Sequence, residues 1–305
     1  MDKFYVDTVR LLLDTAPHVF CSPRFALKGG TALNLFVHDM PRLSVDIDVV
    51  YADHTPDRAE AMKEISDALA ECKRRLDAVG IRSAFLRTNA GDEVKIMVQR
   101  GKCQVKVEVN FVFRGTVLPI QTRSLASSAA ELFTTDLSLP VLAEPELYGS
   151  KLVAALDRQH PRDFFDVRGL FQTTGLTPEV VECFVCYLAG HNRPIHEVLF
   201  SRDLNLTVPY ESELQGMTRE DVSLEELLAT RERLRAELFV AFTKPQKKFL
   251  IGLAAGEPDW KLVECGHLAQ MPAIRWKLEN LTRLKKLNPK KFQLQSDELR
   301  RQFGA

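Results

Sequence analysis

Residues 25–51 read FALKGGTALNLFVHDMPRLSVDIDVVY, and the order of features in this stretch decides the expected fold. The apolar run Phe25 to Leu27 predicts a strand that ends in Lys28, Gly29, Gly30 and Thr31. A short helical pattern follows at Ala32, Leu33, Leu35, Phe36 and Val37, then a turn at Asp39-Met40-Pro41, then a second strand from Val45 to Tyr51. On that strand Asp46 and Asp48 are two apart and project from one face, while Val45, Ile47 and Val49 can face the core. Neighbouring carboxylates raise each other's cost of ionisation, and folding gains nothing from them. A hard divalent cation, Mg²⁺ or Mn²⁺, resolves the conflict by taking carboxylate oxygens and sharing its other positions with water and phosphate. Glycine lets an anion approach the backbone, and a helix N-terminus presents N–H groups to it. The stretch thus offers an anion cradle and a metal-binding pair about one helix apart. The plainer alternative is a strand-to-helix turn followed by the exposed face of an edge strand.

The pattern resembles the polymerase-beta type of nucleotidyltransferase fold, in which a glycine-rich turn precedes an Asp-x-Asp strand. More narrowly, K-G-G-T-A-L (Lys28 to Leu33) followed by Arg42, Ser44, Asp46, Ile47 and Asp48 is similar to the AbiE-type toxins of bacterial type IV toxin–antitoxin systems. That resemblance implies an α/β sheet domain followed by a helical domain, with the site in the cleft between them. It implies that Asp46 and Asp48 hold the metal, and that Lys28, Gly29, Gly30, Thr31, Arg42 and Ser44 hold the triphosphate of an NTP. It also implies an RNA acceptor, with tRNA as the candidate, and a cognate antitoxin as partner.

Composition sets the limits. The chain has 305 residues, 45% of them hydrophobic, enough for two domains with ordinary cores. Its 41 basic and 41 acidic residues cancel, which argues against a protein that coats nucleic acid nonspecifically but allows a local basic patch. The sequence shows neither a signal-peptide pattern nor an apolar run near the ~20 residues of a membrane span, so a soluble, cytoplasmic protein without a membrane partner is expected. Of six cysteines only Cys183 and Cys186 are close in sequence. A zinc site there would need His191 and His196, and the apolar helical setting favours buried thiols instead.

Around the central stretch, Lys3 to Leu13 reads as an amphipathic helix, and Pro17 and Pro23 are expected to bracket a loop. Pro56 to Val79 predicts a long helix stopped by Gly80. Three strands are expected next, over Ile81 to Arg87, Glu93 to Gln99 and Gln104 to Phe113, the last two forming a hairpin about Arg100-Gly101-Lys102. On the third, Val105, Val107, Val109, Phe111 and Phe113 alternate with Lys106, Glu108 and Asn110. The resemblance gives Glu108 the role of a third site carboxylate, a metal ligand or a general base. Alternation alone allows a glutamate paired with a cross-strand lysine. Residues 114–143 carry mixed strand and loop signals, with a domain boundary expected at Leu139-Pro140, dividing the chain into residues 1–140 and 141–305. Helices are expected beyond it over 145–157, 162–172, 178–189, 223–242, 244–254, 272–287 and 289–302, with Ser223 and Glu226 as a capping box.

A second informative segment runs from Pro145 to Leu170. Lys151 and Arg158 are seven apart and share a helix face; Asp163 and Asp166 share another, where Arg162 can reach Asp166. In AbiE-type proteins a helical lysine followed by R-D-x-x-D lies against the nucleotide. The resemblance therefore makes Lys151 and Asp163 catalytic, the lysine offsetting phosphate charge and the aspartate holding it or the nucleophile in place. Two exposed helices laced by salt bridges are the alternative.

Finally, Pro272 to Lys291 holds seven basic residues against the single acid Glu279. Lys285, Lys286, Lys290 and Lys291 are the RNA-backbone candidates, with a solvated helix face as the alternative. The reading that unites these features is a Mg²⁺-dependent transfer of a nucleoside monophosphate from an NTP to an acceptor hydroxyl. Two others compete: a haloacid-dehalogenase-like phosphatase with Asp46 as nucleophile, and a non-catalytic NTP-binding module. The first lacks the usual Gly/Thr turn, since Asp48 is followed by Val49-Val50-Tyr51, and it leaves Gly29-Gly30-Thr31 without a task.

Overall fold

A computed structural model describes residues 1–87 and 94–304 and divides the chain into two compact units. The first comprises Met1–Leu147 with Leu214–Asp221, and the second Tyr148–Glu213 with Val222–Ala305. The chain thus passes from one unit to the other just after Leu147, and an eight-residue return, Leu214–Asp221, belongs with the first.

In the first unit, α1 (Lys3–Val19) starts at the Asp2 cap and runs through Pro17, past the expected loop. The proline forfeits one hydrogen bond, but burial of Thr15, Ala16 and Val19 holds the last turn in place. Next come β1 (Phe25–Lys28) and the short α2 (Gly29–Ala32), which widens into a π-helical turn over Leu33–Val37, closed by His38 N–H donating to the Leu33 carbonyl at 2.8 Å. β2 (Asp46–Tyr51) and α3 (Arg58–Ala78) follow, and α3 buries Ala61, Ile65, Leu69, Cys72 and Leu76 as its spacing predicts. Then come β3 (Arg82–Arg87), β4 (Val94–Arg100), β5 (Cys103–Asn110), β6 (Gln121–Ser124), α4 (Ser127–Phe133) and β7 (Ser138–Val141). The expected start of the first hairpin strand at Glu93 lies outside the described residues. β5 stops short of Phe113 because the Asn110 carboxamide accepts the N–H groups of Val112 (3.1 Å) and Phe113 (3.0 Å) and turns the chain.

These strands form a mixed sheet in the order β3-β4-β5-β2-β1-β7-β6. β2 runs parallel to β5 and antiparallel to β1, with Ile47, Val49, Val105 and Val107 fully buried at its centre.

The second unit is helical. α5 (Glu144–Asp157) leads into it, followed by α6 (Pro161–Gln172), α7 (Pro178–Ala189), α8 (Ile195–Leu199), α9 (Thr207–Glu213), α10 (Leu224–Ala241), α11 (Lys244–Ala254), α12 (Pro272–Leu287) and α13 (Pro289–Phe303). α7 is buried from Val180 to Ala189, so its apolar stretch is the heart of this unit. At Gly149 a Cβ would lie 2.6 Å from the Phe184 nitrogen, so only glycine lets α5 approach α7 this closely. Cys183 and Cys186 are buried, as their apolar setting predicts. The expected capping box forms, with Ser223 N–H donating to the Glu226 carboxylate (2.8 Å) and Glu226 N–H to Ser223 Oγ (3.2 Å).

Candidate active site

Four charged residues stand in one row across the sheet of the first unit. Lys28 on β1 is in register with Asp48 on β2, Asp48 with Glu108 on β5, and Glu108 with Lys95 on β4. Asp46 is in register with Lys106 one step along. Asp46 and Asp48 are both half-buried while Ile47 between them is sealed in the core, so the two carboxylates do share a face. Two acids therefore sit at the centre of a row with a lysine at each end.

The lysines act on Glu108 directly. Lys95 Nζ lies 3.1 Å from one of its oxygens and Lys106 Nζ 3.0 Å from the other. Burial pushes the Glu108 carboxyl up, but hydrogen bonds from Lys106 and Lys95 outweigh it and leave the group below its ordinary value. For Lys106, burial pulls the ammonium down, and the Glu108, Asp46 and Asp48 carboxylates more than reverse this. The strand alternation already showed Lys95 and Lys106 as polar positions; their convergence on Glu108 needed the register.

The glycine turn packs against this row. Gly29 has φ +75°, and a Cβ there would overlap Asp48 Oδ2 and lie 3.0 Å from Asp48 Cγ. Backbone conformation and space both demand glycine. Behind it, Thr31 Oγ1 bonds the Asp46 carbonyl at 2.5 Å and lies 3.0 Å from Ser44 Oγ. The Arg42 guanidinium donates to the Leu43 carbonyl at 2.9 Å, and its other arm would meet a Cβ on Gly30 at 2.8 Å. Thr31, Arg42 and Ser44 are only 1%, 2% and 6% exposed. They brace the turn from behind, while Lys28 and Gly29 remain half-buried at its front.

The brace includes a segment that the motifs did not reveal. Leu43 N–H donates to the Met217 carbonyl (2.8 Å), Arg219 N–H to the Pro41 carbonyl (2.9 Å), and Arg42 bridges to Thr218. Leu214–Asp221 thus flanks Arg42 from a distant part of the sequence. Its composition carries no signal for that role.

An oxygen-only donor set suits a hard cation such as Mg²⁺. Asp46 and Asp48 fit that chemistry. Among the described residues no three acid, imidazole or thiol groups converge into a metal-holding cluster, and Glu108 is engaged by its lysines.

In the helical unit, Lys151 on α5 meets two carboxylates of α6. Its Nζ lies 2.9 Å from Asp163 Oδ1 and 3.0 Å from Asp166 Oδ2. Arg158 adds bonds of 2.6 and 2.9 Å to Asp163. The side chains of Lys151 and Asp163 are 7% and 0% exposed, so this is a buried ion network and not a lacing of exposed helices. Burial pushes the Asp163 carboxyl up; Lys151 and Arg158 overcome that and hold it well below the ordinary range. Arg162 does not reach Asp166 as expected. It pairs with Glu213 at 3.3 Å, because Asp166 points inward to Lys151. His160 caps α6, accepting Arg162 N–H at Nδ1 (3.2 Å), while its Nε2 lies 3.0 Å from Glu213.

The basic segment is likewise not one face. Lys277 is buried, Lys285 Nζ sits 5.4 Å above the Phe292 ring, and Asn288 breaks the run into α12 and α13. Lys285, Lys286, Lys290 and Lys291 remain exposed.

A seven-stranded mixed sheet thus sets a glycine turn against paired aspartates, in one chain with a helical unit. The chain belongs to the AbiEii family, described as "Nucleotidyl transferase AbiEii toxin, Type IV TA system", which it matches over residues 10–280. Among solved structures it is similar to MenT4, a nucleotidyltransferase toxin from Mycobacterium tuberculosis H37Rv, with a TM-score of 0.58 and 19% identity, covering 91% of this chain and 90% of that one. At that identity the likeness is one of fold. No curated protein matches the chain. Among the described residues no helix is long and apolar enough to cross a membrane.

Proposed function

We propose that this chain transfers a nucleoside monophosphate from an NTP to an acceptor hydroxyl on RNA, with the 3′ end of tRNA as the candidate acceptor. In the balanced step the acceptor oxygen bonds to the α-phosphorus, the bond to the bridging oxygen breaks, pyrophosphate leaves, and the hydroxyl proton is released. The observation that carries this reading is the register of Asp48 beside Glu108, with Gly29 packed on the Asp48 carboxylate.

Asp46 and Asp48 would hold Mg²⁺ or Mn²⁺, and Glu108 would join them as third carboxylate by exchanging its Lys95 and Lys106 contacts for the ion. When bound, the ion offsets phosphate charge and polarises the reacting phosphoryl group. Lys28 and the Gly29-Gly30 backbone receive the triphosphate, and Thr31, Ser44 and Arg42 set the shape of that turn. Two lysines keep Glu108 anionic and weakly basic, which favours a ligand role over that of general base. The resemblance gives Lys151 the task of offsetting phosphate charge, and within the helical unit its ammonium is fixed by Asp163 and Asp166. A cognate antitoxin is the expected partner.

Incubating the protein with each labelled NTP, Mg²⁺ and total RNA tests the reading. Label should enter RNA with one or more NTPs and pyrophosphate should appear. A covalent phospho-Asp46 formed during turnover would instead establish the phosphatase reading.

A further inference from the structure

One buried cation in the helical unit, Lys277, has no carboxylate partner among the described residues. Lys277 on α12 is 6% exposed, and its Nζ donates to the carbonyl oxygens of His191 (2.8 Å) and Arg193 (2.5 Å) in the loop before α8. An ammonium has three donors, so one N–H remains. No salt bridge engages it among the described residues, and Glu197, the acid whose charge it feels, pairs with Arg193 at 3.5 Å. A buried charge without a counter-charge is costly. Burial accordingly pulls the Lys277 pKa down to about 8.

The same side chain lines a cavity of about 290 Å³ bordered by α8, α12 and α13. Lys291, His196 and the amides of Asn280 and Gln295 also line it, against the one acid Glu197, and the remaining wall is largely apolar. Two ammonium groups and the amides of Asn192, Asn280 and Gln295 present more donors than the two oxygens of a carboxylate can take; the three terminal oxygens of a phosphate monoester suit them better. The volume lies at the lower end for ligand pockets, so the occupant is no larger than a small phosphorylated molecule or the end of a longer one.

The geometry points to a phosphate-binding site in this cavity, with Lys277, the Lys291 ammonium and the Asn192, Asn280 and Gln295 amides as its donors. It shares no residue with the aspartate site and does not depend on the transferase reading, except that Lys291 also belongs to the basic patch. The phosphate has two possible sources: a free phosphomonoester, or the terminal phosphate of an RNA. A purely structural Lys277, stapling the loop at His191 and Arg193, requires no response to phosphate at all.

Hydrogen exchange on the full chain, read over residues 190–199 and 277–284, tests this with inorganic phosphate, AMP, and a short oligoribonucleotide with and without a 5′-phosphate. Slowed exchange with inorganic phosphate or AMP supports a free phosphomonoester. Slowed exchange with only the phosphorylated oligonucleotide supports an RNA end. No slowing with any of them overturns the site. Calorimetry should show Lys277→Gln weakening the effective ligand by about tenfold or more. If that variant fails to fold, Gln295→Phe, which fills the cavity and leaves the loop staple intact, should do the same at an unchanged Tm. Unaltered affinity in Gln295→Phe also overturns the site. The local readout should persist in Asp48→Ala, which separates this site from the transferase centre.

Discussion

Asp48 and Glu108 are register partners on parallel strands, enclosed in their row by Lys28 and Lys95. Two adjacent acids at a sheet centre repel each other, and at Glu108 the hydrogen bonds from Lys106 and Lys95 keep the carboxylate charged. Under the proposed reading Asp46 and Asp48 hold the metal ion. Asp48→Ala should therefore cut nucleotide transfer by at least about 10²–10³-fold, the loss typical of a group that stabilises transition-state charge. Its Tm should stay near that of the wild type. Full transfer activity in the variant, measured with labelled NTP and RNA, would falsify the assignment.

Gly29→Ala tests the turn. The left-handed backbone at φ +75° costs a residue with a Cβ about 1–2 kcal/mol. Overlap with the Asp48 carboxylate adds to that. The variant should melt several degrees lower and bind NTP more weakly. Adding Asp48→Ala removes the overlapping atoms, so the double variant should recover part of the lost stability. Simple additivity in melting experiments would show that Asp48 does not set the space at Gly29.

Lys151→Met probes the buried network. With both Asp163 and Asp166 left short of a partner, stability should fall by about 3–5 kcal/mol, read from urea unfolding. Transfer activity of the remaining folded protein should fall as well. Retained activity per folded molecule would restrict Lys151 to a structural role.

The same network fixes a pH dependence. The Asp163 carboxyl is held below its unfolded value, so in acid the unfolded chain binds more protons than the folded one. Its stabilisation is complete above the unfolded pKa of about 3.9 and is lost as pH falls from there toward the lower folded value. The stability gap between wild type and Asp163→Asn should thus be constant from about pH 7 to 5 and shrink below about pH 4. A gap that grows in acid contradicts this sign.

Neutralising Lys285, Lys286, Lys290 and Lys291 together should raise the KM for RNA with little change in the KM for NTP. Each lost phosphate contact should also flatten the log–log salt dependence by roughly 0.7–0.9. An unchanged slope would reduce the patch to a solvated surface. Arg275, Arg283 and Lys277 are left out of the substitution, and the buried ammonium of Lys277 is committed to backbone carbonyls.

What the sequence determined by itself was local. Alternation on β2 and β5, the Gly29-Gly30 turn, the caps of α10 and the apolar stripe of α3 are set by side chains a few residues apart. Period and spacing therefore disclosed both strands, the carboxylate pair and most helices. Tertiary structure decided whatever depended on distant partners. Asp39 receives the Ser128 N–H (2.7 Å) and hydroxyl (2.6 Å), and so caps α4 in a stretch that read as strand and loop. The register between β2 and β5 paired Asp48 with Glu108, and Leu214–Asp221 came back to flank Arg42. Burial made Thr31, Arg42 and Ser44 brace the glycine turn, and made Lys151 the hub of an ion network. In each case the deciding interaction joins residues far apart in sequence, and the energy that selects it exists only once the chain has brought them together.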